Sequence, residues 1–249
     1  MKTIEEKIEL TVKWLQDKVN DAKCDGLVVG LSGGIDSSVC AALMKKAFPE
    51  TSLGVILPIK SSPNDRSDAL ALADAIGIEH IQVELSEEHT SILGKITGQL
   101  EYKEINSRLT DANLRARLRM SAIYTVANLK NYLVIGTDNA AEVYTGYFTK
   151  YGDGGVDILP IAGLTKREVY EWGEVLGVPA SVLEREPSAG LWEGQTDETE
   201  MGTTYDYIDA HLTGKEIPEK DKEIIERMHM RSEHKRNMPP ACPNWDAHN

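Results

Sequence analysis

The stretch Gly26-Leu27-Val28-Val29-Gly30-Leu31-Ser32-Gly33-Gly34-Ile35-Asp36-Ser37-Ser38 decides the fold. Its first part, 26–31, is a short apolar run, the mark of a parallel strand buried on both faces. A Gly-Ser turn follows, and then a helical segment at 37–47 (SSVCAALMKKA). Strand, glycine turn and helix in that order form the opening of an α/β unit whose ligands sit at the carboxyl end of the strand. Gly33 and Gly34 lack a Cβ, so the backbone turns tightly and approaches an anion. The free N–H groups of the helix start then face that anion, and the helix dipole favours it. Ser32, Ser37 and Ser38 are expected to add hydroxyl donors. Asp36 does not belong in a bare phosphate cradle, because its charge repels phosphate. A magnesium-held pyrophosphate resolves the conflict.

Outward from this stretch the pattern alternates. Residues 3–20 repeat apolar groups at helical spacing (Ile4, Ile8, Val12, Leu15, Val19). Residues 52–57 (SLGVIL), 80–85 (HIQVEL) and 132–136 (YLVIG) read as strands. Residues 65–76 and 107–130 read as helices. The alternation predicts an α/β fold: a doubly wound parallel sheet with helices on both faces, in a single domain spanning 1–249. After about residue 140 strands are no longer expected. Segments 144–160, with four glycines, and 186–203 read as loops, while 165–176, 204–212 and 219–233 read as helices. Long loops in a compact domain are commonly functional.

Composition narrows the class. The chain has 249 residues, 41% of them hydrophobic, which is ordinary for a globular protein. There is no run of 18 apolar residues to cross a membrane and no apolar signal core at the N-terminus, so no membrane contact is expected. Net charge is −13, from 27 Lys+Arg against 40 Asp+Glu, which argues against a nucleic-acid partner. Cys24, Cys40 and Cys242 form no CxxC pair and read as free thiols in a reducing compartment, with the cytoplasm as the default.

Two common phosphate loops are excluded, since the chain has neither GxxxxGK[ST] nor GxGxxG. Instead SGGIDS, at Ser32–Ser37, resembles the pyrophosphate loop of the ATP pyrophosphatase superfamily, whose fold is that of the adenine nucleotide alpha hydrolases. Those enzymes adenylate a carbonyl or carboxylate so that a nitrogen or sulfur nucleophile can displace AMP. The second half selects within the superfamily. Gly136-Thr137-Asp138-Asn139-Ala140-Ala141-Glu142 and Thr149-Lys150-Tyr151-Gly152-Asp153-Gly154-Gly155 look like NAD synthetase. So do Leu164-Thr165-Lys166-Arg167, Glu186-Pro187-Ser188-Ala189-Gly190-Leu191-Trp192, Asp197-Glu198-Thr199-Glu200 and His234-Lys235-Arg236. The length matches the short, ammonia-dependent form, with no room for a glutaminase domain.

The resemblance implies an activity and a residue set. It implies ATP-dependent amidation of deamido-NAD to NAD through a deamido-NAD adenylate, releasing AMP and pyrophosphate, as the last step of NAD biosynthesis. ATP would lie against Gly30, Leu31, Ser32, Gly33, Gly34, Ile35, Asp36, Ser37, Thr137, Lys166 and Ser188. Deamido-NAD would contact Arg117, Lys150, Asp157, His234 and Lys235. Magnesium would be held by Asp36 and Glu142, which both follow strands and so share one rim of the sheet. Asp36 and Lys166 would carry the catalysis, with ammonia binding as the free base. Asn139 replaces a histidine common in short-form members, at a position given no core chemical role.

The family also implies a homodimer. On the 107–130 helix, Leu114, Leu118, Val126 and Leu129 are expected to form an apolar stripe, with Arg117 on one side and Arg115 and Arg119 on the other. Arg117 is then expected to serve the site whose Asp36 belongs to the other chain.

Overall fold

A computed structural model describes residues 2–102, 107–185, 187–188 and 196–243. Helix α1 (Ile4–Ala22) precedes β1 (Gly26–Gly30), α2 (Ile35–Ala47), β2 (Ser52–Ile56), α3 (Pro63–Ile76) and β3 (Glu79–Gln82). Then come α4 (Ser86–Thr97), α5 (Ser107–Lys130), β4 (Tyr132–Val134), α6 (Ala140–Thr145) and α7 (Lys166–Val175). The C-terminal part holds α8 (Ala180–Leu183), α9 (Asp197–Met201), α10 (Tyr205–Leu212), α11 (Glu219–Arg231) and α12 (Glu233–Arg236).

The four strands are parallel in the order β3-β2-β1-β4. The chain winds from β1 out to β3 and then returns to place β4 on the other side of β1. The carboxyl ends of β1 and β4 therefore flank a topological switch point, where the diverging connections leave a crevice.

Period-two burial builds the two layers. Leu27 and Val29 of β1 pack on one face with Leu15 of α1, Leu43 of α2, Leu72 of α3 and Trp172 of α7. Val28 points the other way, into a cluster with Leu53, Val55, Val134 and Ala127 of α5. With both faces covered, the central strands read as continuous apolar runs. The doubly wound sheet expected from sequence is the one observed. A third cluster (Ala141, Met201, Tyr205, Ile208 and Ile225) ties the C-terminal helices to α6. Among the described residues, no helix is long and apolar enough to cross a membrane, and the three cysteines are free.

Several local expectations are corrected. Strand β3 covers Glu79–Gln82 rather than 80–85 and is mostly exposed, as befits the edge of the sheet. Helix α4 was not expected from the sequence; it buries His89 and leaves Ile92 and Ile96 36% and 48% exposed. The segment 186–203, expected as a loop, contains α9, and the unassigned stretch before 144 contains most of α6; both are short helices started by the caps Asn139 and Thr196. Strand-like pairing also continues past residue 140, because Ile158 bridges Ile135 in parallel. The helix expected over 219–233 breaks at Ser232, which closes α11 and precedes α12.

On α5 the expected stripe fails at its end. Leu129 is 81% exposed. Ile123, Val126 and Ala127 make the contact with the sheet instead. A helix turns 100° per residue, so a stripe drawn over 24 residues drifts off a twisted sheet.

Candidate active site

The loop after β1 is built on strained glycine. Gly33 has φ 82°, and a Cβ there would stand 2.5 Å from the Asp65 carbonyl oxygen. A side chain at 33 is excluded twice, by conformation and by space. Ser32 Oγ accepts from Gly34 N at 3.2 Å and lies 3.0 Å from Ser37 Oγ. Ser38 Oγ donates to Gly34 O at 2.8 Å, and Ser38 is fully buried. Ser38 therefore holds the turn and does not offer a donor to a ligand, contrary to expectation. Gly34 caps α2 without a side-chain hydrogen bond, leaving the first N–H groups of this helix for a ligand.

Four elements deliver charged groups to the same crevice. Asp36 sits in the first turn of α2. Glu142 is the third residue of α6, where its Oε2 accepts from Asn139 N at 3.1 Å and closes a capping box. Lys166 opens α7; its backbone N–H donates to Asp209 Oδ1 at 3.1 Å, which sets a carboxylate at the positive helix end. Lys166 Nζ lies 2.6 Å from Asp36 Oδ2, 3.6 Å from Glu142 Oε1 and 4.6 Å from the centre of the Tyr205 ring.

Asn139 joins these parts. Its Nδ2 donates to Asp36 Oδ1 at 2.8 Å, while its Oδ1 accepts from Ala141 N and Glu142 N. One buried amide thus fixes both carboxylates relative to each other. Two further acids reach the crevice from α9. Tyr205 OH donates to Glu142 Oε1 at 3.1 Å and to Asp197 Oδ2 at 3.0 Å. Tyr147 OH donates to Glu200 Oε2 at 2.6 Å.

Crowding shifts the protonation equilibria. Burial and then the neighbouring Asp36 push the Glu142 carboxyl up from 4.5 to about 8. Burial opposes the charge on Lys166, but Asp36 and Glu142 outweigh it and the amine's pKa rises. The Glu142 shift has a stability consequence. The folded state holds a proton that the unfolded state has lost between about 4.5 and about 8. The contribution of this group to stability is therefore lost as pH rises through that window. Glu142→Gln, whose amide mimics the protonated acid, is expected to flatten that decline. Melting temperatures at pH 5 and pH 8 for both proteins check this, and equal slopes would count against the buried acid.

The far side of the crevice is assembled from α5, the glycine loop and α12. Arg117 Nη2 donates to Lys150 O at 3.3 Å. Lys150 Nζ donates to His234 O. Lys235 Nζ donates to Gly146 O at 2.7 Å. Gly154 lies under the Phe148 ring, 2.4 Å from where a Cβ would be, so the glycine loop folds tightly against its own aromatic residue.

A cavity of ≈ 650 Å³ connects the two sides. Its wall includes Gly30, Leu31, Ser32, Gly34, Ile35, Asp36, Ser37, Thr137, Glu142, Lys166 and Ser188, together with Arg117, Lys150, His234 and Lys235. Gly33 shapes the loop from behind. Asp157 stands apart. It is exposed at the sheet edge, accepting from Val134 N at 2.8 Å and Tyr124 OH at 2.9 Å, and does not line this cavity. Arg117 and Asp36 of one chain line the same cavity, so no second chain is required to bring them together. Arg119, placed by the sequence across the stripe from Arg117 and given no ligand role, also lines the cavity. It is anchored to Leu57 O at 3.1 Å and Ser61 Oγ at 3.2 Å. Of the Pro187-Ser188 block, Glu186 and residues 189–192 lie outside the described residues.

Asp36 and Glu142 both direct an oxygen at a single cation, the Lys166 amine. Two carboxylates converging on one point, beside a free helix N-terminus, fit a magnesium ion that completes its shell with phosphate oxygens and water.

This arrangement has close relatives. The NAD synthase family matches residues 7–239. The chain belongs to the NAD synthase family. It is 65% identical over 242 residues to the NH(3)-dependent NAD(+) synthetase of Alkaliphilus metalliredigens, covering 96% of this chain and 98% of that one. Among solved structures, it is similar to the NMN synthetase of Francisella tularensis, at 41% identity and a TM-score of 0.92, covering 98% of this chain and all of that one. It is also similar to the NAD+ synthetase of Burkholderia pseudomallei, at 31% identity and a TM-score of 0.79, covering 96% and 92% of the two chains. As a member of the NAD synthase family the chain is a ligase of NAD biosynthesis with ATP as co-substrate.

Asn139, Asp197 and Glu200 are the site residues that sequence reading left without a role. For Asn139 a signal was present. An asparagine three residues before a glutamate marks a capping box, and that box aims Glu142. For Asp197 and Glu200 no local signal existed, since only the third cluster brings α9 to Glu142.

Proposed function

We propose that this chain performs the ammonia-dependent synthesis of NAD in one catalytic unit. The nicotinate carboxylate of deamido-NAD attacks the α-phosphorus of ATP, pyrophosphate leaves, and ammonia then displaces AMP. The observation that carries this reading is the Asp36–Lys166–Glu142 triangle, held by Asn139 at the N-terminus of α2. The N–H groups of the loop and of α2 donate to the departing pyrophosphate, and Lys166 neutralises its growing charge. Asp36 and Glu142 would hold magnesium, which supplies neutralisation of the phosphate oxygens. Thr137 and Ser188 face ATP; Arg117, Lys150, His234 and Lys235 face the dinucleotide. Asp157 would meet the dinucleotide only where it leaves the cavity. The free thiols support a reducing, cytoplasmic setting, and the family resemblance supports a homodimer.

Incubation with ATP, Mg²⁺, ammonium and deamido-NAD tests the reading. NAD and AMP are expected in equal amounts, rising with pH at fixed subsaturating ammonium, and glutamine is not expected to replace ammonium. AMP release without NAD, or turnover with glutamine alone, would refute it. The similarity to the Francisella tularensis NMN synthetase favours a second reading, in which the acceptor is the mononucleotide. Competition between deamido-NAD and nicotinate mononucleotide at equal concentration separates the two by the ratio of their kcat/KM values.

A further inference from the structure

Of the block His234-Lys235-Arg236, the first two residues line the cavity and Arg236 does not. Its half-buried guanidinium serves two helix ends instead. Nη1 reaches Val143 O at 3.3 Å, Tyr144 O at 3.1 Å and Ser232 Oγ at 2.8 Å, and Nη2 donates to His229 O. Val143 and Tyr144 lie in the last turn of α6, and His229 lies in the last turn of α11. Carbonyls of a last turn have no partner within their own helix. One planar fork thus caps two helices, and its charge meets the negative ends of both dipoles.

Neighbouring side chains extend the grip. His229 Nδ1 donates to Tyr144 O at 2.8 Å, and its ring stacks on that of Tyr144 with centroids 4.1 Å apart. Ser232 Oγ donates to Thr145 O at 3.0 Å. Lys235 Nζ donates to Gly146 O at 2.7 Å and to Phe148 O. Residues 229–236 therefore hold the carbonyls of Val143, Tyr144, Thr145, Gly146 and Phe148. The fit is close: Gly146 has φ 67°, and a Cβ there would stand 2.1 Å from Ser232 Cβ.

The gripped stretch has a working group at each end. Upstream, α6 carries Glu142, 3.6 Å from Lys166 Nζ. Downstream, the glycine loop carries Lys150, whose Nζ donates back to His234 O. We propose that Arg236 is a positioning residue for adenylation: by closing the ends of α6 and α11 it fixes Glu142 and the Lys150 loop relative to each other, and it touches neither substrate. This rests on the function proposed above and adds a residue from outside the cavity wall. Residues that orient a ligating side chain typically contribute about 10- to 100-fold to activity. Lysine keeps the charge but offers a single nitrogen on a flexible stem, so it cannot bridge both helix ends.

Two measurements test the proposal. Exchange of labelled pyrophosphate into ATP, dependent on deamido-NAD, reports adenylation; calorimetry reports deamido-NAD binding with neither ATP nor metal present. At a temperature where each protein is folded by circular dichroism, Arg236→Ala and Arg236→Lys should both lower the exchange kcat by about 10- to 100-fold. The Kd for deamido-NAD should rise about tenfold as the Lys150 loop loses its anchor, while the KM for ATP stays within about twofold. Guanidinium on the order of 10 mM, far below the molar range that unfolds proteins, should restore part of both losses in Arg236→Ala, and sodium at equal ionic strength should not. If Arg236→Ala does not fold, Arg236→Lys alone decides. Exchange and binding equal to wild type, with only the Tm lowered, overturn the proposal and leave Arg236 as a helix cap. So does a raised Kd with an unchanged exchange kcat, which would put the guanidinium on the substrate. An ATP KM that rises with the other losses, or no guanidinium effect on folded Arg236→Ala, overturns it as well. A wild type that neither exchanges nor binds deamido-NAD would instead refute the function proposed above.

Discussion

Asp36→Asn should abolish most adenylation and cost measurable stability as well. Charge loss at one preorganised contact with developing phosphate charge lowers rate by about 10²–10³-fold. Sequence reading alone expects little damage to the fold, because asparagine has the same shape. The structure changes that expectation. Asp36 Oδ2 is 2.6 Å from a lysine whose side chain is only 5% exposed. Breaking such a pair costs about 3–5 kcal/mol when the remaining charge has no other partner. Here Glu142 stays within 3.6 Å of the same nitrogen, so the lower end applies. For a chain of this size that corresponds to a fall in Tm of roughly 6–12 °C. Pyrophosphate exchange and thermal melts measure the two effects separately. Near-normal exchange would remove Asp36 from the metal and phosphate site; an unchanged Tm would show that the ion pair carries no net stability.

Lys166→Met is the complementary lesion and the larger one. It deletes the amine to which both Asp36 and Glu142 point, along with the cation over the Tyr205 ring. Methionine fills the volume, so the packing of α7 on α2 survives. Exchange is expected to fall by about 10³-fold or more if Lys166, the one buried lysine among the described residues, is the amine that meets the departing pyrophosphate. The informative signature is thermodynamic. Above pH 8, where Glu142 ionises, the two acids repel each other without magnesium and the variant melts early. A divalent cation placed between them relieves that repulsion, and occupancy at about 100 times Kd contributes roughly 2.7 kcal/mol. Magnesium should therefore raise the Tm of Lys166→Met by several degrees and that of the wild type much less, because Lys166 already occupies the point. Equal magnesium shifts in both proteins would mean that the two carboxylates do not share one cation site.

These expectations depend on information of two kinds. The periodicity of 26–31 and 37–47, with SGGIDS between them, was enough to establish the parallel α/β sheet and the anion-binding turn. Both are local consequences: strand burial shows as an apolar run, and a tight approach to phosphate demands glycine within a few residues. The same locality makes Glu142 and Lys166 legible, each at the start of a helix whose cap is written beside it.

Tertiary structure decided what those groups do to one another. Asn139 is 103 residues from the aspartate it holds, and Lys166 is 130 residues from the same side chain. No window of sequence carries such a contact, because it arises only when the switch point brings β1 and β4 side by side. The same holds for Tyr205, which links Asp197 to a Glu142 that lies 63 residues before the tyrosine. It holds again for Asp157, turned to the sheet edge by Tyr124 and Val134 instead of facing the cavity. The sequence by itself determined the strands, the glycine turn and the helix starts, since their causes lie within one or two turns of chain. The pairing, burial and shifted protonation of the acids were decided only by folding, because charge and desolvation act through space.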